Sequence, residues 1–238
     1  MESVRINKYL SSSGFCSRRA ADRYVEEGRV TIDGITALTG AKVTQGQTVC
    51  VDGHAVTMNQ PGKVFILNKP AGYISSLSDS QGKGIRCFIP EGLRLFPVGR
   101  LDKDSEGLML LTNDGELMNN VLNASNGHEK EYIVTTDRKI TNDFIRGMEK
   151  GVPITNGATG KKIITAPCKI TKIDEHSFKI IIIQGLNRQI RRMCGHFGFK
   201  VLTLKRIRIM NVTLGELKTG EIKELESDVL KELYRQLG

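Results

Sequence analysis

Residues 99–108 hold the side chains that are best placed to do chemistry. Asp102 comes two positions after Arg100, and Asp104 and Glu106 alternate behind it before an apolar run begins. A carboxylate beside a cation stays ionised and oriented, as attack on a sugar carbon requires. Asp102 is therefore a candidate catalytic group, and Asp104 and Glu106 are rival acids between which the residues alone do not decide. The spacing alone fits a solvated acidic loop equally well.

Positive charge is concentrated in residues 185–210, which contain seven basic residues and no acidic residue. The whole chain has a formal net charge of +9, which favours a polyanionic partner such as nucleic acid. A helix predicted to begin near Asn187 places three arginines on one face, and a following strand presents three more basic side chains that we expect to bind phosphate groups. The six residues are Arg188, Arg191, Arg192, Lys205, Arg206 and Arg208.

The composition excludes several function classes. No apolar run is long enough to span a bilayer, and the first residues lack the pattern of a secretion signal, so we expect a cytoplasmic protein. The five cysteines form no Cys-x-x-Cys pair and the four histidines have no ligand spacing, so we expect neither disulfides nor a metal. Because no glycine-rich phosphate loop or dinucleotide fingerprint is present, we also expect no cofactor.

The first sixty residues are predicted to form a small domain of their own. Apolar spacing predicts a short helix that ends near Gly14, and Ser17 is the predicted N-cap of a second helix. Asp33-Gly34 and Asp52-Gly53 are typical of tight hairpin turns. Two short helices followed by a small hairpin sheet form a compact RNA-binding shape.

Residues 64–238 are predicted to form the second domain, after a proline- and glycine-containing linker at 58–63. Strands that mostly follow strands, with helices inserted, indicate an α+β domain rather than a doubly wound one. Residues 75–84, rich in serine, glycine and aspartate, are predicted to be a mobile surface loop. Strands are predicted at 64–69, 131–135, 166–173 and 177–183, and helices at 115–122, 141–150, 188–196 and 228–236.

The first domain, 1–60, resembles the S4 RNA-binding domain. The patterns Arg-x-x-Lys-x-Leu, Gly-x-x-Ser-Arg and Gly-x-Val-x-x-x-Gly occur in this order between Arg5 and Gly34. The resemblance implies that the basic residues in and beside these patterns contact RNA phosphates, whereas otherwise they would form only a solvated helix face. These residues are Arg5, Lys8, Arg18 and Arg19.

The second domain resembles the pseudouridine synthases, above all the RsuA/RluB/RluE/RluF branch, which isomerises uridine in ribosomal RNA. The match consists of Asn-Lys-Pro-x-Gly at 68–72, Gly-Arg-Leu-Asp and Ser-x-Gly-Leu within 99–108, Lys-x-Tyr at 130–132 and Gln-Ile-Arg at 189–191. Residues 206–211 are closest to the RluF subgroup, whose substrate is large-subunit (23S) ribosomal RNA. The resemblance implies a catalytic domain with a mixed, largely antiparallel sheet.

The resemblance also implies a role for each motif. Asp102 acts at the ribose of a flipped-out uridine, either as a nucleophile at C1′ or as a base at C2′. Tyr132 stacks against the extruded uracil, and Arg191 pairs with Asp102 through a charge-assisted hydrogen bond. Arg188 and Arg192 contact RNA phosphates, and Arg100 either contacts RNA or braces the loop.

Two other functions fit parts of the sequence. A non-catalytic RNA-binding or ribosome-assembly protein would need only the S4-like domain and the basic segment. A glycoside hydrolase would use Asp102 with Asp104 or Glu106 as an acid pair, which leaves the basic segment unexplained. The favoured interpretation is an enzyme that acts without a small-molecule cofactor on large-subunit ribosomal RNA or a pre-ribosomal particle, as a monomer.

Overall fold

In the computed structural model, two compact units account for the chain. The small unit comprises residues up to Lys63 together with Asn113–Gly115, and the large unit comprises Val64–Thr112 and Glu116–Gly238. Residues 58–61 of the predicted linker lie outside the described residues. Within the described residues, no helix is long and apolar enough to cross a membrane. The structure describes residues 3–57, 62–123, 127–157 and 159–238.

The small unit follows its local sequence signals closely. The first helix ends before Gly14, whose φ is 75°, and the Ser17 side chain caps the second helix by accepting the Ala20 N–H at 3.2 Å. Asp33 and Gly34 both have positive φ, as the predicted hairpin turn requires. The elements are β1 (Val4–Arg5), α1 (Ile6–Ser12), α2 (Arg18–Glu26), β2 (Val30–Ile32), β3 (Ile35–Thr36), β4 (Lys42–Val43), β5 (Val49–Val51) and β6 (His54–Ala55).

The large unit is built on one long sheet. Its strands are β7 (Val64–Lys69), β8 (Phe96–Pro97), β9 (Glu106–Thr112), β10 (Lys130–Thr136), β11 (Pro153–Thr155), β12 (Lys162–Ile164), β13 (Lys169–Lys172), β14 (Ser177–Ile182), β15 (Val201–Ile209), β16 (Val212–Thr213) and β17 (Ile222–Glu224). Its helices are α3 (Gly115–Leu122), α4 (Asn142–Glu149), α5 (Gln189–His196) and α6 (Ser227–Leu237), with a 3₁₀ helix at Ile85–Phe88.

The order of strands in this sheet is β13-β14-β10-β15-β9-β7-β17, with β8 beside β9 and β16 beside β15. The pair β9–β15 is parallel, and the other pairs are antiparallel. The predicted mixed, largely antiparallel sheet of an α+β domain is therefore confirmed. Its centre brings the start of β9 next to the end of β7 and to β15.

Both faces of the sheet are covered. Phe65 and Leu67 of β7 pack in one apolar cluster with residues of α4 and α5, while Val64 and Ile66 pack in a second cluster with residues of α3 and α6. Because successive strand residues point to opposite faces, the two clusters lie on opposite sides of β7. A strand buried on both sides has a continuous apolar sequence rather than an alternating one.

The predicted helices of the large unit agree with the structure to within about one residue at each end. The strand predicted at 166–173 is shorter than expected and begins only at Lys169. The Ala166 N–H instead binds the Gln184 side chain, and the Cys168 N–H binds the Glu149 carbonyl. These two backbone groups are therefore satisfied outside the sheet.

Candidate active site

Asp102 lies on a turn between β8 and β9. Its carbonyl oxygen accepts the Ser105 N–H at 3.1 Å, which closes the turn. The preceding residue, Leu101, is buried and packs in the apolar cluster on the α5 side of the sheet. The Asp102 side chain keeps 26% of its surface exposed. The turn thus presents a carboxylate at the surface on a backbone that is fixed in the core.

A loop that follows β7 braces this turn. The Ser75 hydroxyl donates to the Leu101 carbonyl at 2.7 Å and accepts the Leu101 N–H at 2.9 Å. The Gly72 N–H donates to the Lys103 carbonyl at 2.7 Å. The backbone groups of both residues that flank Asp102 are therefore held by one loop, through the Ser75 hydroxyl at Leu101 and through the Gly72 N–H at Lys103. Ser75 has no local sequence signal for this role, since it lies in the stretch predicted as a mobile loop.

Arg188 is the cation nearest to Asp102 among the described residues. Its guanidinium donates two hydrogen bonds to the Asp104 carboxylate, at 3.0 and 3.2 Å. The Asp102 carboxylate lies 3.9 Å from the same guanidinium, which is a weaker contact. Arg188 precedes α5 and has a φ of 49°, an uncommon conformation for a residue with a side chain. The bidentate bond to Asp104 offsets that cost.

Arg191 does not form the predicted ion pair with Asp102. Its Nη2 donates to the Asp104 carbonyl at 3.0 Å and lies 3.3 Å from the Asp104 carboxylate, while its Nη1 donates to the Val201 carbonyl at 3.0 Å. Among the described residues its carboxylate partner is Asp104, and Arg188 is the arginine closer to Asp102. Asp104, Arg188 and Arg191 together form a charged cluster beside Asp102, which we call the clamp.

The clamp controls the charge on Asp104. Partial burial by itself would raise the pKa of the Asp104 carboxyl, but the hydrogen bond from Arg188 and the charges of Arg191 and Arg188 outweigh it and lower the pKa below its ordinary value. The bond to Asp104 in turn raises the pKa of Arg188. Asp104 therefore stays ionised at neutral pH and offsets one of the two positive charges of Arg188 and Arg191.

Lys69 is a buried cation near this cluster, with no exposed surface. Its ammonium donates to the Pro70 and Tyr73 carbonyls, each at 2.8 Å, and so holds the start of the bracing loop. Burial lowers the pKa of Lys69 to about 8, although the charges of Asp104 and Asp102 oppose that shift. The sequence motif at 68–72 thus supplies an internal charge as well as a turn.

Tyr132 lies in the same row of the sheet as Lys69. The register pairs Lys69 with Gly107, Gly107 with Arg206 and Arg206 with Tyr132. A Cβ on Gly107 would lie 2.2 Å from the Arg206 carbonyl oxygen, so only glycine allows β9 and β15 to approach here. Tyr132 is 8% exposed within the apolar cluster on the α5 side. Its stacking on uracil stays a prediction.

Arg206, predicted to contact RNA, faces inward, and its RNA contact stays a prediction. This side chain is only 4% exposed, and its Nε donates to the Leu108 carbonyl at 2.7 Å. The reason is a bulge in β15: Glu131 pairs with Arg208 and Tyr132 with Arg206, so Ile207 has no partner on β10. Simple alternation therefore fails, and Arg206 faces inward beside Tyr132.

The other predicted RNA-binding residues of the large unit differ in how free they are. Arg208 is half-buried and bonded to Glu129 and Glu131, and Arg192 donates to the Thr155 carbonyl at 2.6 Å and to Asn187 at 3.0 Å. Both guanidinium groups are therefore already hydrogen-bonded within the protein. Lys205 is half-buried, and Arg100 is exposed.

In the small unit, the predicted phosphate contacts cluster around the two helices. Arg18 and Arg19 begin α2 and are exposed, as is Arg5 just before α1, while Lys8 is half-exposed. None of these four makes an ion pair with a described residue. By contrast Arg29, which the sequence analysis did not single out, is bound to Asp52. The four cations are thus available to a polyanion.

Among the described residues, no three His, Cys, Asp or Glu side chains are placed together to hold a metal ion.

Comparison with known proteins agrees with this arrangement. Residues 63–196 match the RNA pseudouridylate synthase family, and residues 4–49 match the S4 domain. The chain is 48% identical over 235 residues to the dual-specificity RNA pseudouridine synthase RluF of Escherichia coli K12, covering 98% of this chain and 79% of that protein. It is 37% identical over 248 residues to an uncharacterized RNA pseudouridine synthase of Aquifex aeolicus, covering 100% and 96%.

A solved structure also matches nearly the whole chain. A pseudouridylate synthase crystal structure superposes with a TM-score of 0.71 at 28% identity, covering 97% of this chain and 100% of the other.

Proposed function

The chain belongs to the RNA pseudouridylate synthase family and is an RNA pseudouridine synthase, and we propose that it isomerises uridine in large-subunit (23S) ribosomal RNA with Asp102 acting at the ribose. The observation that supports this most directly is a carboxylate on a braced turn, 26% exposed and 3.9 Å from a guanidinium that is already bound to a second carboxylate. Such a group has no close partner of its own and is accessible to a substrate.

The reaction needs no external reagent. The N1–C1′ bond breaks, the uracil turns, a C5–C1′ bond forms, and the proton lost from C5 balances the proton gained at N1. Asp102 either attacks C1′ and is displaced when C5 bonds there, or removes the C2′ proton and returns it. In both routes the target nucleotide must leave its stack to reach the carboxylate.

The clamp residues influence Asp102 through their positions and do not themselves react; they are Asp104, Arg188 and Arg191. A carboxylate tightly bound to two guanidiniums would be a poor nucleophile and a poor base, because its charge would already be used. Asp104, rather than Asp102, binds the two guanidinium groups, so Asp102 keeps a single longer contact, with Arg188 at 3.9 Å. We therefore assign Arg191, predicted as a catalytic residue, to holding Asp104 and the start of β15 rather than to the reacting atoms.

The remaining predicted residues bind substrate. Tyr132, beside Arg206 in the sheet, is proposed to stack on the uracil. The exposed or half-exposed cations that pair with no carboxylate of the described residues are proposed to bind the RNA backbone: Arg5, Lys8, Arg18, Arg19 and Arg100. We further propose that the protein works in the cytoplasm as a monomer, without a small-molecule cofactor, on ribosomal RNA or a pre-ribosomal particle.

The alternative of an acid-pair glycoside hydrolase is disfavoured by Asp104. That reaction needs one carboxyl that remains protonated near neutral pH, whereas the clamp lowers the pKa of Asp104. A purely RNA-binding role does not explain why Asp102 is braced on both sides and kept free.

Incubating the protein with transcribed 23S ribosomal RNA and mapping pseudouridine at single-nucleotide resolution tests the proposal. We expect pseudouridine at a defined position and no released uracil. RNA that is bound but unmodified would support the non-catalytic alternative, and released base would support hydrolysis. Mapping in cells that lack the protein should show loss of the same site.

A further inference from the structure

A cleft of about 630 Å3 lies next to the catalytic turn on the far side of the clamp. Its volume is within the range of roughly 300–1,000 Å3 typical of small-molecule sites. One wall is the clamp itself, and the other is the segment that leads from α5 into β15. The lining residues that the argument uses are Asp104, Arg188, Arg191, Phe199, Lys200 and Leu202.

The cleft carries an unbalanced positive charge. Of its three cations, Arg188 and Arg191 are bound to Asp104. Lys200 is exposed, and its side-chain ammonium forms no ion pair with a carboxylate of the described residues. An ammonium at the edge of a cleft already lined by two guanidiniums favours a single negative group such as a phosphodiester.

The same wall exposes an apolar side chain. Leu202 is 54% exposed at the start of β15, next to buried Val201. Phe199 packs on Phe144 at a ring distance of 4.3 Å and fixes the base of the wall. An exposed leucine alone needs no explanation, but one inside a basic cleft offers an apolar contact for a ribose or a base beside the phosphate.

The wall is held in place before any ligand binds. The Lys200 N–H donates to the Asp137 carboxylate at 2.8 Å, and the Asp137 N–H donates to the Lys200 carbonyl at 3.0 Å. The Arg191 guanidinium donates to the Val201 carbonyl at 3.0 Å, so it connects the wall to the clamp. A preformed site loses less conformational entropy on binding.

We propose that this cleft binds the nucleotide adjacent to the target uridine, with its phosphodiester at Lys200 and its ribose and base against Leu202. This inference rests on the proposed function. A uridine held at Asp102 is covalently joined to its neighbour, and the cleft shares Arg188 with the catalytic turn, within 3.9 Å of Asp102. We name it the flanking-nucleotide cleft.

Binding of a labelled RNA stem-loop that already contains pseudouridine at the modified position tests this without interference from turnover. Lys200→Ala should weaken binding by roughly threefold to tenfold and lower the slope of log Kd against log salt by about 0.7–0.9, the value for one phosphate contact. Lys200→Arg should restore most of both. Leu202→Ala should weaken binding by about threefold and leave the salt slope unchanged.

Matched controls come from β13, the edge strand three positions from β15 in the sheet, and from the residue that follows it. Lys169→Ala removes an exposed charge on β13, and Ile173→Ala removes an apolar side chain that is 48% exposed. Both should bind RNA as the wild type does. Equal effects of Lys200→Ala and Lys169→Ala would overturn the proposal.

Neutral methylphosphonate groups, placed at one RNA phosphate at a time, locate the contact. The wild type should lose affinity at a phosphate adjacent to the target uridine, and Lys200→Ala should lose nothing further there. The proposal would be contradicted if the phosphate whose neutralisation has no further effect in Lys200→Ala lay far from the target uridine, or if no such phosphate were found. Isomerisation of the unmodified RNA is measured separately. A wild type that isomerises uridine but shows no Lys200-dependent phosphate beside the target therefore overturns the cleft assignment and leaves the proposed function intact.

Discussion

At the scale of single residues, the two aspartates of the site, Asp102 and Asp104, differ in how closely they contact arginine side chains. Asp104 holds Arg188 and Arg191 at hydrogen-bond distance, and Asp102 lies 3.9 Å from Arg188. The sequence shows both acids and both arginines but not this division, because it depends on how α5 approaches the turn. The resemblance implies a pair of Arg191 with Asp102, whereas in the structure Arg188 is the arginine near Asp102 and Arg191 contacts Asp104.

Asp104→Asn should therefore impair turnover although Asp104 touches no reacting atom. Both guanidiniums would lose their carboxylate and draw closer to Asp102, which lowers its reactivity. We expect the single-turnover rate to fall by about tenfold to a hundredfold, or roughly 1.4–2.7 kcal/mol. Asp143→Asn, at an exposed acid paired with Arg146 on α4, is the matched control and should react normally. A wild-type rate for Asp104→Asn would contradict the clamp.

At the scale of elements, hydrophobic periodicity predicted the helices well, because the buried residues of a helix recur at a short, regular spacing in the sequence. It failed at β15, where the bulge at Ile207 breaks alternation and turns Arg206 inward. It also missed Ser75, since a contact with Leu101 across 26 positions leaves no trace in local sequence. Long-range backbone contacts and register shifts are what the sequence does not reveal.

Ser75→Ala should slow catalysis by loosening the Asp102 turn. Two hydrogen bonds to Leu101 disappear, each with a net contribution of about 1 kcal/mol. We expect kcat to fall by about tenfold with little change in KM, because the RNA contacts remain. Ser75→Thr retains the hydroxyl and should recover much of the rate, whereas exposed Ser78→Ala should have no effect. A rise in KM alone would rule out the bracing role.

At the scale of the whole molecule, each unit presents its own cations. The small unit exposes Arg18 and Arg19 at the start of α2, and the large unit surrounds the catalytic turn with arginines. The net charge of +9 predicted a polyanionic partner. It did not indicate which cations are already used inside the protein, such as Arg206 and Arg208.

Arg18→Ala combined with Arg19→Ala should weaken RNA binding in a salt-dependent way. Two lost phosphate contacts should lower the slope of log Kd against log salt by about 1.4–1.8 and raise KM, with kcat at saturating RNA much less affected. Arg146→Ala, at an exposed arginine paired with Asp143 on α4, should leave the slope unchanged. The contrary result would be an unaltered slope in the double variant.

Stability should depend on pH through Lys69. Its folded-state pKa of about 8 lies below the ordinary value of 10.5, so between these values the unfolded chain binds more protons. The unfolding free energy should therefore rise with pH across this window relative to Lys69→Met, which lacks the titrating group. Urea unfolding of both proteins from pH 7 to pH 10.5 measures this. A difference in unfolding free energy between the two proteins that stays constant over this pH range would contradict the lowered pKa of Lys69.

Single-turnover isomerisation by Asp102→Asn, with RNA affinity measured in parallel, tests the central claim most directly. Asparagine keeps the size and the turn but can neither attack the ribose nor accept its proton. The account predicts RNA affinity within about threefold of the wild type and no detectable pseudouridine. Pseudouridine formation by Asp102→Asn at a rate near that of the wild type would contradict it.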